Sequence, residues 1–357
     1  MPTLVQPVAH PPRLAPVQPQ LPTLRLSDFT QAGPGSRAAF VEALRDVAHH
    51  TGFFYLAEHR VSPLLQADLL RHAQAFFALP GADKHALRMA NSPHFRGYTQ
   101  AGGEITAGAA DWREQIDFGD ERPLLPGAFE DRAEPWRRLQ GPNQWPVALP
   151  GLRDVVLAWQ AALTGVGFTL MRALALALGQ DAEGFDAAFT PDPVQRLKLI
   201  RYPGRPGADQ GVGPHKDSGF LTLLLQHQRG GLQVRLSSRE GGERWLDVPP
   251  RPGTLVVNLG EALELLTGGF LQATVHRVVS PPPRAERLSV AFFLAPRLDA
   301  ELPPIALPPA LAARARGVSR DPANPLIAHA GRNLLKGRLR SHTDVAARFY
   351  ADVLPTA

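Results

Sequence analysis

Apolar residues at helical spacing predict two amphipathic helices early in the chain. The predicted apolar faces are Phe40, Leu44 and Val47 in the first helix, and Leu65, Leu69, Ala73 and Phe76 in the second. Gly52 is a stop signal after the first helix. The second begins with Ser62 as N-cap and Pro63 at its first position, and Pro80 ends it.

A third, longer helix is predicted over about 152–178, where it ends at a glycine. Val155–Leu178 is apolar enough to suggest a transmembrane span, but Gly165, Gly167 and Arg172 interrupt it. We therefore predict a buried core helix and no membrane association.

From about residue 194 the pattern changes to short β-rich runs separated by glycine and proline turns. These runs are "VQRLKLIRY", "FLTLLLQ", "GLQVRL", "TLVVNLG", "ATVHRVVS" and "RLSVAFFL". Several short strands at this spacing indicate a sandwich or barrel, of which the jelly roll is one form. One earlier strand is predicted in "GFFYL" (52–56), and residues 91–150 are expected to form loops and short strands.

The chain returns to a helical pattern from about residue 310 and is rich in basic residues there. These are Arg314, Arg316, Arg320, Arg332, Lys336, Arg338, Arg340 and Arg348. We expect a solvated helical face, with contact to an anionic partner as the alternative.

Composition limits the classes of protein that remain. A chain of 357 residues with 44% hydrophobic and 20% charged residues is typical of an ordinary globular protein with a large core. The net charge is +5, and no basic stripe with interleaved aromatic residues predicts nucleic-acid binding. There is no cysteine, so disulfides and thiolate chemistry are excluded. No secretory-signal pattern opens the chain, so we expect a cytoplasmic protein, and the seven prolines in residues 2–22 predict an extended tail.

Three residues carry the candidate metal chemistry. His215 and Asp217, in "GPHKDSGF", are two positions apart and share one face of an extended segment. His276 follows about sixty residues later on a predicted strand. Two imidazoles and one carboxylate on one side of a metal leave coordination positions open, which suits Fe(II) that must bind a co-substrate and O2. The spacing alone also permits a surface pair, because His-x-Asp arises by chance.

Arg287 and Ser289, in "RLSV", add a candidate anion receptor. They too are two positions apart on a predicted strand, about eleven residues beyond His276. Arginine binds a carboxylate through two parallel hydrogen bonds. The pair would therefore anchor the far carboxylate of a dicarboxylic co-substrate that chelates the metal. The alternative for Arg287 is a surface cation on an edge strand.

This combination resembles the isopenicillin N synthase-like branch of the Fe(II)/2-oxoglutarate-dependent dioxygenases. The resemblance covers most of residues 22–300. It includes "HTGFFYLAEHRV", the loop "GPNQWP" (141–146), "LTLLLQHQRGGLQV", "WLDVPPRPGTLVVNLGEALELLTGGFLQATVHRV" and "RLSVAFFLAP". It implies an α+β fold with a double-stranded β-helix core (jelly-roll or cupin-like), a helical N-terminal cap and a helical C-terminal segment. The expected division is a tail (1–21), a cap region (22–190), the catalytic core (191–300) and a C-terminal segment (301–357), all in one structural unit.

The resemblance also implies the cofactors and their ligands. His215, Asp217 and His276 are expected to bind Fe(II), and Arg287 with Ser289 the C5 carboxylate of the co-substrate 2-oxoglutarate. With O2 as oxidant, the expected reaction is hydroxylation of a small-molecule substrate with release of succinate and CO2. We expect a monomer or small homo-oligomer.

Other residues receive weaker predictions. Tyr202, in "LIRYP", stands where many members of the family have an aromatic residue facing the co-substrate, although a core position is an equal alternative. An isoleucine occurs where asparagine is usual in plant members, so Lys198, on the same strand face, is a candidate to supply charge near the C1 carboxylate. A solvent-facing lysine is the alternative. Lys216 should point away from the metal by alternation, and Asn258 and Glu261 are expected to hold the barrel together.

The substrate is the least determined part of the function. The pocket wall is expected from residues 96–119 and from Phe292 with its neighbour Phe293. Glu104 could pair with a basic substrate group such as a guanidinium, or be an exposed loop carboxylate. "GGEITAG" also resembles a loop of ethylene-forming members of the branch. That leaves ethylene formation from 2-oxoglutarate as an alternative, beside a 2-oxoglutarate-independent oxidase, a zinc hydrolase and a non-catalytic barrel.

Overall fold

The computed structural model describes residues 20–106, 108–207, 210–237, 242–319, 321–322 and 324–353. The predicted tail (1–21) lies outside the described residues except for its last two positions, and Arg320 also lies outside them. The α-helices are α1 (Leu26–Thr30), α2 (Pro34–His50), α3 (Pro63–Ala78), α4 (Gly81–Ala86), α5 (Gly151–Ala177), α6 (Asp186–Phe189), α7 (Glu261–Leu266), α8 (Pro309–Ala312), α9 (Ala330–Ser341) and α10 (Thr343–Phe349). The strands are β1 (Thr23–Arg25), β2 (Phe53–Ala57), β3 (Gly97–Thr99), β4 (Ile105–Thr106), β5 (Ala109–Ala110), β6 (Glu114–Gly119), β7 (Val194–Pro203), β8 (Gln210–His215), β9 (Leu221–Gln226), β10 (Leu232–Ser237), β11 (Glu243–Asp247), β12 (Thr254–Leu259), β13 (His276–Val279) and β14 (Glu286–Ala295).

Two sheets form the double-stranded β-helix that the resemblance implies. Within the described residues, the larger sheet has the order β1-β2-β12-β9-β14-β7-β6-β3, and the smaller has the order β11-β10-β13-β8. One buried cluster contains side chains of both sheets, among them Phe53, Ile200 and Val278. The sheets therefore pack face to face. The region predicted as a helical cap contributes four strands to the larger sheet. The sequence predicts β2, and β3 and β6 lie within 91–150, where short strands are expected, whereas β1 is not predicted.

Helices cover the outer face of the larger sheet. The long helix predicted over 152–178 is α5, and it packs against α2, α3 and β14. It is a described helix long and apolar enough to cross a membrane, but here residues such as Trp159 and Leu170 are buried in the main hydrophobic cluster. At Gly167 a Cβ atom would lie 2.6 Å from Leu294 Cδ2, so the glycine lets α5 approach β14 closely.

Local signals placed α2 and α3 correctly. Gly52, with φ +61°, follows α2, and its N–H donates to the Val47 carbonyl at 2.8 Å. At the start of α3 the Ser62 hydroxyl accepts from the Leu65 N–H at 3.5 Å.

The prediction of a solvated basic face is confirmed for Arg314, Arg316, Arg332, Arg340 and Arg348, which are exposed, but it is wrong for Arg338. Arg338, on α9, is only 4% exposed, and its guanidinium donates to Asp117 Oδ1 at 3.1 Å. This contact places α9 against the open end of the barrel, where Leu334, Lys336 and Arg338 line the central cavity. The C-terminal segment is therefore a wall of the site.

Candidate active site

A cavity of about 570 Å³ lies between the two sheets. Its walls come from β7 and β14 of the larger sheet, from β8 and β13 of the smaller sheet, from the loop that carries Glu104, and from α9. The three candidate metal ligands and the candidate anion receptor line the same cavity. The fold therefore brings together residues as far apart in the chain as Phe53 and Ser341.

The three candidate ligands converge because two strands are paired in register. His215, the last residue of β8, lies opposite His276, the first residue of β13. Asp217 follows in the turn after β8, and its Oδ1 lies 3.7 Å from His215 Nε2 and 3.8 Å from His276 Nε2. One ligand atom from each residue lies within 4.8 Å of the others. This donor set and its open side fit Fe(II).

Backbone carbonyls orient both imidazoles. His215 Nδ1 lies 2.8 Å from the Gly213 carbonyl, and His276 Nδ1 lies 3.1 Å from the Thr274 carbonyl. A carbonyl only accepts, so Nδ1 donates and Nε2 keeps the lone pair that a metal needs. Burial, with the neighbouring His215, lowers the pKa of His276 to about 4. At neutral pH the ring is therefore an uncharged ligand.

Thr222 and Asn258 hold the carboxylate of Asp217. They face each other across β9 and β12, and both donate to Asp217 Oδ2, at 2.5 and 2.8 Å. Burial alone would raise the pKa of Asp217, but the two imidazoles and these hydrogen bonds lower it to about 2. Asn258 thus orients a ligand besides holding the barrel, and sequence reasoning missed Thr222.

Lys216 takes no part in this cluster. Its ammonium group donates to Glu264 Oε2 at 2.8 Å and to the Ser319 hydroxyl at 2.6 Å. The side chain therefore points away from the triad, as alternation along the chain predicts.

The structure places Arg287 and Ser289 side by side in the cavity. Arg287 is 1% exposed, and its guanidinium donates to the Ser289 hydroxyl at 3.0 Å and to Gln226 Oε1 at 2.9 Å. Its Nε has no hydrogen-bond partner among the described residues. Burial lowers the pKa of Arg287, and no carboxylate raises it. A buried guanidinium without an anion fits a carboxylate ligand.

Tyr202 completes this end of the cavity. It lies opposite Arg287 in the pairing of β7 with β14, and the Arg287 guanidinium lies 4.8 Å from the centre of its ring. Sequence reasoning did not identify Gln226, although a polar residue ending the apolar run of β9 is a signal that could have done so.

Glu104 lies at the other end of the cavity, buried rather than exposed in a loop. Its Oε2 accepts from Arg113 Nη2 and Gln115 Nε2, both at 2.7 Å. Among the described residues, its Oε1 makes only longer contacts of 3.5 Å, to Lys198 and His342. Burial opposes ionisation, but Arg113 and Lys198 hold the pKa of Glu104 well below its usual range. The carboxylate is therefore charged.

Lys198 is also buried, so a solvent-facing lysine is excluded. Its Nζ lies 3.0 Å from Asp117 Oδ1 and 3.4 Å from Glu104 Oε2. Arg338 and His342, from the C-terminal helices, join the same network through Asp117 and Glu104. Both are missing from the sequence-based site because they are more than two hundred positions from their partners and no motif marks them.

The prediction that Phe292 lines the pocket is wrong, because the pleat of β14 turns this side chain away from the cavity. Arg287, Ser289, Ala291 and Phe293 alternate on the cavity side. Phe292 points the other way, is 0% exposed and belongs to the hydrophobic cluster under α5. The aromatic wall of the cavity on β14 is therefore Phe293, which the sequence analysis named only as its neighbour.

Comparison with known proteins agrees with this geometry. Residues 21–148 match the family described as non-haem dioxygenase in morphine synthesis N-terminal, and residues 191–296 match the 2OG-Fe(II) oxygenase superfamily. The chain is 35% identical to the 2-oxoglutarate-dependent dioxygenase frbJ of Dothideomycetidae sp. over 89% of this chain and 90% of that protein. It is 36% identical to the homoarginine-6-hydroxylase 2-ODD-233 of Oryza sativa subsp. japonica over 74% of this chain and 80% of that protein.

Solved structures show the same similarity in three dimensions. The full-length Neurospora crassa protein crystallised with alpha-KG and thymine has a TM-score of 0.71 and 26% identity, over 92% of this chain and 96% of that chain. The rice dioxygenase for auxin oxidation has a TM-score of 0.63 and 26% identity, over 90% of this chain and 95% of that chain.

Proposed function

The chain belongs to the 2OG-Fe(II) oxygenase superfamily as a 2-oxoglutarate-dependent dioxygenase, and from this premise we propose that it hydroxylates a small molecule with a basic group, such as a guanidinium. The observation that carries the substrate class is Glu104, a buried and ionised carboxylate in the cavity wall. Four similar relatives are named homoarginine-6-hydroxylases, and homoarginine ends in a guanidinium.

The cofactor end of the cavity is built from residues already described. His215 Nε2, His276 Nε2 and Asp217 Oδ1 would hold Fe(II), and Arg287 with Ser289 would hold a carboxylate of 2-oxoglutarate. When bound, Fe(II) and 2-oxoglutarate supply the activation of O2 that oxidises a C–H bond, with release of succinate and CO2. The protein contributes orientation of the substrate and exclusion of competing reactions.

Glu104 has one oxygen available for a substrate donor. Its Oε2 accepts two short hydrogen bonds, whereas its Oε1 has only the 3.5 Å contacts to Lys198 and His342. Burial strengthens a charge-assisted hydrogen bond, because less water competes for the carboxylate. A guanidinium or ammonium group that reached Oε1 would replace weak contacts with a strong one.

Succinate release tests the proposal. Enzyme loaded anaerobically with Fe(II) and 2-oxoglutarate is exposed to O2 with L-homoarginine, L-arginine or norleucine, which keeps the α-amino group but lacks a basic side chain. We expect the two basic amino acids to stimulate succinate release and to gain one oxygen atom by mass spectrometry. Equal stimulation by norleucine would refute the substrate class.

Glu104→Gln is the matched variant because the amide keeps the shape and removes the charge. The loss of a charged hydrogen bond is expected to weaken the binding of a basic substrate about 10- to 100-fold, since a tenfold change in affinity corresponds to roughly 1.4 kcal/mol. The affinity for 2-oxoglutarate should stay the same. Unchanged substrate affinity in Glu104→Gln would contradict the role of Glu104.

Two controls separate the alternatives. Ethylene in the headspace, measured by gas chromatography, would indicate fragmentation of 2-oxoglutarate instead of hydroxylation. Substrate oxidation without added 2-oxoglutarate would indicate an oxidase.

A further inference from the structure

Arg196 is a cavity residue that neither the metal cluster nor the Arg287 end uses. It lies on β7, whose residues Arg196, Lys198, Ile200 and Tyr202 alternate into the cavity. In the pairing of β7 with β14 it lies opposite Phe293, and its guanidinium is 4.9 Å from the centre of that ring. The stacking holds the guanidinium at the wall of the cavity.

Arg196 has no anionic partner in the part of the chain that the structure describes. It donates no hydrogen bond there and forms no ion pair, and its buried Nε is without a partner. Three other basic residues of the wall have an anionic partner: Arg113 pairs with Glu104, and Lys198 and Arg338 pair with Asp117.

Arg196 is half-buried, and burying its Nε without a hydrogen-bond partner destabilises the folded chain. Burial, followed by the positive charge of Arg338, lowers the pKa of Arg196, yet arginine stays protonated at neutral pH. The carboxylates of Asp117 and Asp217 oppose this shift from a distance, but neither contacts Arg196. A cation without a contacting anion among the described residues therefore faces a cavity that must accept a ligand.

The co-substrate does not account for this charge. Arg287 provides the positive charge for one carboxylate of 2-oxoglutarate, and the metal would take the other end. Arg196 is six residues along β7 from Tyr202, the residue opposite Arg287, which is about 20 Å between Cα atoms at about 3.3 Å per residue. The remaining ligand of the cavity is the primary substrate.

We propose that Arg196 binds a carboxylate of the primary substrate and selects acids over their amides or decarboxylated analogues. With Glu104 taking the basic group, the substrate is a zwitterionic amino acid with a basic side chain. The basic group rests on the proposed function, but the carboxylate does not.

The experiment compares acids with their amides on the intact enzyme. Binding of L-arginine, L-argininamide, norleucine and norleucinamide is measured by anaerobic calorimetry on wild type, Arg196→Gln and Arg196→Lys, each loaded with Fe(II) and 2-oxoglutarate. Arg153→Gln makes the same change at an exposed arginine on α5 and is the matched control. The norleucine pair tests the carboxylate without a guanidinium, so failure of the basic-group assignment does not hide the role of Arg196.

We expect wild type to bind each acid more tightly than its amide. Arg196→Gln should weaken the binding of the acids about 10- to 100-fold, as expected for the loss of a hydrogen bond between charged groups. The binding of the amides should stay unchanged. Arg196→Lys should retain part of the preference for acids over amides, and Arg153→Gln should retain all of it. The melting temperature of Arg196→Gln should equal or exceed that of wild type, because the variant removes a half-buried charge whose Nε has no hydrogen-bond partner among the described residues.

Three results would overturn the proposal. The first is wild-type enzyme that does not distinguish acids from amides. The second is an Arg196→Gln variant that binds acids and amides equally more weakly, or whose melting temperature falls by several degrees. Either outcome would show that Arg196 has a structural role. The third is a weaker affinity for 2-oxoglutarate in Arg196→Gln with unchanged preference for acids, which would assign the arginine to the co-substrate.

Discussion

Removing the Thr222 hydroxyl tests how the protein prepares its metal ligand. Thr222 and Asn258 both donate to Asp217 Oδ2, at 2.5 and 2.8 Å. They leave Oδ1 on the side of the two imidazoles, 3.7 and 3.8 Å from their Nε2 atoms. Thr222→Val keeps the branched shape in β9 but replaces the donor with a methyl group.

The expected loss follows from the strength of that hydrogen bond. A hydrogen bond to a charged group contributes about 1.5–3 kcal/mol, and a tenfold change in affinity corresponds to about 1.4 kcal/mol. Thr222→Val should therefore weaken Fe(II) binding about 10- to 100-fold, the range known for residues that support metal ligands. The pKa of Asp217 should rise, since one of the groups that lower it is removed.

The measurement is an anaerobic Fe(II) titration in competition with a coloured chelator, without 2-oxoglutarate. Thr222→Ser is the control because it keeps the hydroxyl, and it should bind Fe(II) within about threefold of wild type. Wild-type affinity in Thr222→Val would refute the orienting role. So would an equal loss in Thr222→Ser, because the defect would then come from packing.

Three further predictions follow from the same site. Arg287→Gln should raise the KM for 2-oxoglutarate about 10- to 100-fold in steady-state succinate assays, and an unchanged KM would exclude Arg287 as the carboxylate receptor. Gly231→Ala should impair 2-oxoglutarate binding and lower the melting temperature, because Gly231 has φ +125° and a Cβ there would lie 2.8 Å from the Val279 carbonyl oxygen and 3.5 Å from Arg287 Cδ; normal stability and binding would contradict this. His342→Gln should reduce the acid sensitivity of folding, since burial, with Arg338 and Lys198 opposing Glu104, lowers the pKa of His342 from 6.5 to about 4. The unfolded chain then binds the extra proton as pH falls from 6.5 to 4, so wild type loses up to about 3 kcal/mol in that window. Urea titrations at pH 4 to 7 measure the difference, and parallel curves for the two proteins would refute it.

The local pattern of apolar and polar residues was enough to predict the main helices and the pairs of site residues that share a strand face. Helical spacing with a cap or a stop located α2 and α3, and an apolar run of core length located α5. His215 with Asp217, and Arg287 with Ser289, are two positions apart, and the structure places each pair in one cavity. These predictions succeed because the side-chain periodicity of helices and strands can be read directly from the sequence.

One register choice shows the limit of that reasoning. Phe292 and Phe293 are adjacent apolar residues, and composition does not distinguish them. Only the pairing of β14 with β7 and β9 determines that Phe293 faces the cavity and Phe292 the helices. A shift of one residue would exchange the two faces.

Residue types and their spacing along strands were enough to propose iron and 2-oxoglutarate chemistry, because both are local properties of the chain. The polar groups that support or complement that chemistry could be identified only from the folded structure. Thr222 and Asn258 reach Asp217 from neighbouring strands, and Arg338 reaches Asp117 from a helix 221 positions away. Arg196 became informative only when its buried Nε was found without a hydrogen-bond partner among the described residues. Such contacts depend on packing between distant segments, which no local period encodes.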